Sequence, residues 1–121
     1  MEAQKFLEDL WRSMCGLPEK EPQQLPSIED LRESEWSPAF EQCMRNRLIM
    51  GAFRYGLLRD PGKPQYNRMK SIAQRAAIYE ENGNLEILVD IANLALLEFV
   101  EGVHPKRHFK ALDDGIHTDK I

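Results

Sequence analysis

Cysteine is nearly absent from this chain. Cys15 and Cys43 are the only two in 121 residues, lie far apart, and each falls in a helical pattern. That spacing excludes a disulfide framework and a zinc site, and reads both as small buried hydrophobes or surface thiols. Long apolar runs are missing too. No stretch reaches the ~20 residues that a membrane span needs. Residues Met1 to Leu10 hold no uninterrupted apolar segment of the kind a secretory signal carries, so the expected location is cytoplasmic. No useful strand alternation, internal repeat or low-complexity tract is present. No serine sits in a nucleophile elbow, and no glycine-rich phosphate loop or CxxC pair occurs, which removes the common hydrolase and dinucleotide-binding classes. The net charge of -4 gives no general field for coating nucleic acid, and no sequence-specific nucleic-acid binding is expected. Local basic clusters can still meet a phosphate.

What remains is helical punctuation. A first helix is expected over roughly residues 2–14, where Phe6, Leu7, Leu10, Trp11 and Met14 recur at three- and four-residue steps before Gly16 and Pro18 stop it. Residues 18–26, with three prolines among polar neighbours, read as a linker. Ser27 and Asp30 form a capping box for a short helical turn at 27–31. Ser37 as N-cap and Pro38 in the first turn start a second helix expected to run to about Leu58, with Phe40, Met44, Leu48, Ile49, Ala52, Phe53 and Leu57 as core residues. The run Asp60-Pro61-Gly62-Lys63-Pro64 breaks it. A third helix over about 67–82 carries Met69, Ile72, Ala73, Ala76 and Tyr79 inward. Gly83 is placed to end it in the left-handed conformation, and Asn84 to cap a fourth helix that runs to about Glu101. Residues 103–121 form an irregular tail, first basic and then acidic at Asp113 and Asp114. The expectation is one all-α domain over 1–121, a small bundle of about four helices with helices three and four as an antiparallel hairpin. The fourth helix is so apolar that a homo-oligomer, dimer or tetramer, would be needed to cover it.

Three polar side chains interrupt that apolar helix. Glu86, Asp90 and Asn93 stand at i, i+4 and i+7, within about 60° of one another around the helix axis, and so share one face. Two carboxylates there need a cation, a metal or hydrogen-bond donors. Glu86 and Asp90 could ligate Mg²⁺ or Mn²⁺, with Asn93 adding an amide oxygen or orienting a ligand. Equally, both could pair with arginines of helices two and three, and Glu86 in the first helical turn favours the dipole without further purpose. Arg47 and Arg54 share a face of helix two with Gly51 between them, a position suited to close approach of a backbone or ligand. Arg45, Arg68 and Arg75 add guanidinium groups, and Lys63 and Lys70 lie near them in sequence. Arginine forks suit phosphate and carboxylate alike. Tyr55 could stack on a base or plug the rim of the core, and Tyr66 and Tyr79 carry the same two readings. His104, His108 and His117 lack a closely spaced ligand set, and Pro105 argues against a helix through the first two.

The segment Glu86-Ile87-Leu88-Val89-Asp90-Ile91-Ala92-Asn93-Leu94-Ala95 resembles the second half of the MazG-like, all-α nucleoside triphosphate pyrophosphohydrolases. The strings Arg54-Tyr55-Gly56 and Tyr79-Glu80-Glu81-Asn82-Gly83-Asn84 also resemble stretches of small proteins of bacteria and their phages. The superfamily resemblance implies a MazG-like hairpin core and Mg²⁺-dependent cleavage of a nucleotide to its monophosphate and pyrophosphate. It assigns metal and catalytic roles to Glu86 and Asp90. Joined to the residue readings above, it gives an expected site in which Asn93 orients the ligand, Arg47, Arg54 or Arg75 meets phosphate, and Tyr55 adds a ligand contact. Ile87 stands where the superfamily carries its second glutamate. The first acidic motif is absent, since helix two offers Glu41 alone and helix three ends on Glu80 and Glu81. Three functions therefore stand side by side: a pyrophosphohydrolase, a protein that binds and sequesters a nucleotide without cleaving it, and a helical interaction or oligomerisation module.

Overall fold

The computed structural model describes residues 2–15, 24–111 and 118–121, apart from the side chains of 2, 8, 9 and 12–15. Among the described residues it is all-helical, with four helices and no strand: α1 (Glu2–Cys15), α2 (Pro38–Tyr55), α3 (Arg68–Asn82) and α4 (Leu85–Glu101). The chain divides into two compact units, Ser37–Arg107 and Met1–Trp36 with His108–Ile121. No described helix is long and apolar enough to cross a membrane. Most of the expected linker, the side chains of Met14 and Cys15, the tail acids Asp113 and Asp114, and His117 lie outside the described residues.

In the unit that holds the N-terminal residues, α1 gathers Phe6, Leu7, Leu10 and Trp11 on an exposed apolar face. Beyond it, Ser27 and Asp30 close the expected capping box: the Ser27 amide donates to the Asp30 carboxylate at 2.8 Å and the Asp30 amide donates to Ser27 Oγ at 3.3 Å. Those bonds from the Ser27 backbone and then its side chain hold the Asp30 carboxyl below its usual pKa. The segment continues as turns bonded over three residues as far as Ser34, closed by the Trp36 amide on the Leu31 carbonyl, and not as a regular helix.

In the Ser37–Arg107 unit the helix punctuation matches the sequence closely. Ser37 Oγ accepts from the Phe40 amide at 3.1 Å, with Pro38 in the first turn. Helix α2 stops at Tyr55, three residues earlier than expected. Gly56 turns out of the helix at φ 84°, Asp60 accepts from the Leu57 amide at 2.8 Å, and Lys63 Nζ donates to the Gly56 carbonyl at 2.9 Å. Local hydrogen bonds end the helix before the prolines are reached. Asn67 is the N-cap of α3 and not its first residue, accepting from the Lys70 amide at 3.0 Å. Gly83 ends α3 in the left-handed region at φ 65°, and Asn84 Oδ1 accepts from the Glu86 amide at 3.1 Å to start α4. At the other end of α4, Arg107 donates to the carbonyls of Phe99, at 2.9 Å, and Gly102, satisfying acceptors the helix leaves unpaired.

Helix α4 packs against both α3 and α2. The packing is thin. Val89, 6% exposed, is the one buried hydrophobic residue among those described. The expected inner faces need correcting. Of the α2 set, Met44, Leu48 and Ala52 are half-buried, whereas Phe40, Ile49, Leu57 and Phe53, the last 85% exposed, face outward. On α3 the half-buried stripe is Ser71, Ile72, Arg75 and Tyr79, starting from buried Arg68, and Met69, Ala73 and Ala76 are exposed. Arginine aliphatic stems therefore take part of the covered face that the sequence pattern assigned to alanines.

Candidate functional site

The i, i+4 spacing of Glu86 and Asp90 does what helical geometry requires and presents both carboxylates on one side of α4. Arg47, from the middle of α2, lies across them. Its Nη1 is 3.2 Å from Glu86 Oε1, its Nη2 3.3 Å from Asp90 Oδ1, and its Nε donates to the same Asp90 oxygen at 3.3 Å. The predicted phosphate-binding arginine thus pairs with both predicted metal carboxylates, one positive charge shared between two negative ones. Arg47 is 41% exposed, so solvent screens the pairs and each contributes only about 0.2–1 kcal/mol. The cluster is held together without being locked.

One turn further along α4, Asn93 is 7% exposed and donates Nδ2 to the Met44 carbonyl at 3.0 Å. Its Oδ1 is buried with no hydrogen-bond partner. Met44 and Arg47 are three apart on α2, so Asn93 and the two acids face a single seam between α2 and α4. That amide ties α4 to the backbone of α2, a contact that the spacing of Asn93 alone did not reveal.

Beside the seam runs an open groove of about 510 Å³, lined by Ser37, Ala39, Phe40, Cys43, Asn46 and Arg47 of α2 and its cap, and by Leu85, Glu86 and Val89 of α4. Its walls are mainly apolar, with Arg47 and Glu86 supplying charge. The starts of both helices open onto it, and helix N-termini carry positive potential. Cys43 is a free, exposed thiol in this wall.

The other expected site residues are elsewhere. Arg54 and Tyr55 stand exposed at the far end of α2 and do not line the groove. Arg75 bends back to the Ser71 carbonyl of its own helix, 3.4 Å away. Arg45 pairs with Glu41 one turn before it. A methyl group at Gly51 would meet no atom within 4 Å, so no backbone or side chain approaches there. Arg68, 7% exposed, is committed to Glu98, at 3.6 Å, and to Glu101. The sequence held a signal for that pairing. In a helical hairpin, residues about equally far from the turn meet, and Arg68 and Glu98 flank Gly83-Asn84 almost symmetrically.

Among the described residues, no group of three or more histidine, cysteine or acidic side chains could hold a metal ion. Glu86 and Asp90 supply two carboxylates, which suits Mg²⁺ only when phosphate and water complete its shell. No family model, no curated protein and no solved structure matches this chain.

Proposed function

We propose that the chain binds a phosphorylated nucleotide in the groove between α2 and α4. The observation that carries this reading is the division of one wall: Phe40, Leu85 and Val89 offer an apolar surface for a base, and Arg47 sits at the charged side beside the two helix starts. Binding pockets for small ligands commonly have this makeup, apolar walls with a few convergent polar groups, and the groove volume falls in their range. Arg47 would meet phosphate as a fork. Glu86 and Asp90 would hold Mg²⁺ shared with the ligand, and the metal would supply charge neutralisation and an activated water. With that water the protein would be a MazG-like pyrophosphohydrolase. Without it, the same groove sequesters the nucleotide intact.

The second reading, a self-associating interaction module, rests on a different observation. Phe53, Ile49, Met69, Phe99, Val100 and Val103 are all exposed in a unit whose described core is Val89 alone. A domain of this size needs more buried apolar surface than that to offset chain entropy, and a homo-oligomer would provide it. The two readings are compatible.

One experiment separates the outcomes. The pure protein is incubated with a nucleotide panel with and without Mg²⁺ or Mn²⁺ and filtered, and the flow-through is assayed before and after heating. New monophosphate and pyrophosphate would identify the enzyme, and a nucleotide that disappears and returns unaltered on heating would identify the binding protein. No change with any nucleotide overturns the nucleotide reading and leaves the interaction module, for which light scattering on the same sample would give a multiple of 14.1 kDa.

A further inference from the structure

Two observations stand together at the seam. Both carboxylates already share one guanidinium, and one turn along α4 the amide oxygen of Asn93, Oδ1, is buried without a hydrogen-bond partner. Hard divalent cations take oxygen ligands of these kinds, two carboxylates and an amide carbonyl. A cation approaching Glu86 and Asp90 must displace Arg47, and the displaced guanidinium loses both of its counter-charges. A phosphoryl group changes that balance, because it gives the guanidinium a new bidentate partner and gives the cation its remaining oxygens.

We propose that Arg47 is a resident counter-ion that keeps a lone divalent cation off Glu86 and Asp90 and yields when the cation arrives with a phosphorylated ligand. The inference rests on the nucleotide reading for the identity of that ligand, and it adds that cation and phosphate binding are mutually conditional. Linkage makes the coupling reciprocal: the factor by which the ligand raises cation affinity is the factor by which the cation raises ligand affinity. One guanidinium leaves the two carboxylates with one negative charge in excess, and a divalent cation in its place balances both, while the released guanidinium pairs with the phosphoryl group. At 41% exposed, Arg47 has room at the groove wall to move.

The test is a titration with Mn²⁺ alone, followed by the spin-resonance signal of free Mn²⁺, on the wild-type chain, Arg47→Gln and Arg47→Lys, with folding checked by circular dichroism. Arg47→Gln removes the competitor and is expected to bind Mn²⁺ at least about tenfold more tightly than wild type, a difference of about 1.4 kcal/mol, with Arg47→Lys between the two. Repeating the titration with a nucleoside triphosphate present, after subtracting the Mn²⁺ that the same nucleotide holds in a protein-free blank, is expected to raise Mn²⁺ affinity in wild type and much less in Arg47→Gln. Equal Mn²⁺ affinity in all three chains overturns the proposal, as does a wild type that binds Mn²⁺ equally well with and without the nucleotide while the nucleotide is bound. A gain in Arg47→Gln together with no nucleotide binding by any chain keeps the counter-ion role and overturns the nucleotide reading alone.

Discussion

Val89→Asp is expected to unfold the Ser37–Arg107 unit. Val89 is 6% exposed on α4, one turn from Glu86 and from Asn93, and it also forms part of the groove wall. An aspartate there would desolvate a carboxylate beside Glu86 and Asp90, and the guanidinium that could answer it is already shared between those two acids. Burying an uncompensated charge costs about 4 kcal/mol or more. Small domains have total stabilities near 5 kcal/mol, so little would remain. Val89→Ala separates packing from charge and should cost about 2 kcal/mol through lost burial and the cavity left behind. Urea unfolding followed by circular dichroism measures both. A Val89→Asp chain that keeps the wild-type midpoint would show that the α2–α4 contact does not hold the unit together.

Arg68→Ala should be the second large effect, at the opposite end of the hairpin from its turn. Arg68 is 7% exposed and answers both Glu98 and Glu101. Removing one partner from a buried ion pair costs about 3–5 kcal/mol, because the remaining charge is stranded. Glu98 and Glu101 keep about a third of their surface in water, which relieves part of that penalty, so a loss of about 2–3 kcal/mol is expected. Adding Glu98→Gln and Glu101→Gln to Arg68→Ala should recover part of the loss, since no acid is then left unpaired. A cost below about 0.5 kcal/mol, the range of ordinary surface substitutions, would mean that the triad adds nothing to the hairpin.

Local signals in the sequence located the helix ends well. Ser37, Asn84 and Gly83 act where their side chains or backbone freedom suggested, because capping depends on atoms within three or four residues. The shared face of Glu86 and Asp90 was legible for the same reason, and pairing with an arginine was one of its two readings. The choice among Arg47, Arg54 and Arg75 for that face was not legible. Which arginine crosses to α4 depends on how two helices meet, and periodicity carries no information about crossing. The inner face of α2 failed on similar grounds. Its apolar residues fall on nearly every side, so the pattern could not say that Met44 and Leu48 would be half-covered while Ile49 and Phe53 stayed outside. The end of α2 was missed because Asp60 and Lys63 act ahead of the prolines, through side chains that sequence marks only as loop.

Cys43, in the wall of the α2–α4 groove, reports directly on the nucleotide binding proposed there. In a Cys15→Ser chain, the rate at which a thiol reagent modifies Cys43 is measured alone and with each nucleotide of the panel plus Mg²⁺. The expected result is protection by about tenfold once a nucleotide is present at ten times its dissociation constant, because the occupied groove shields the thiol. A Cys43 rate unchanged by every nucleotide would contradict binding in this groove.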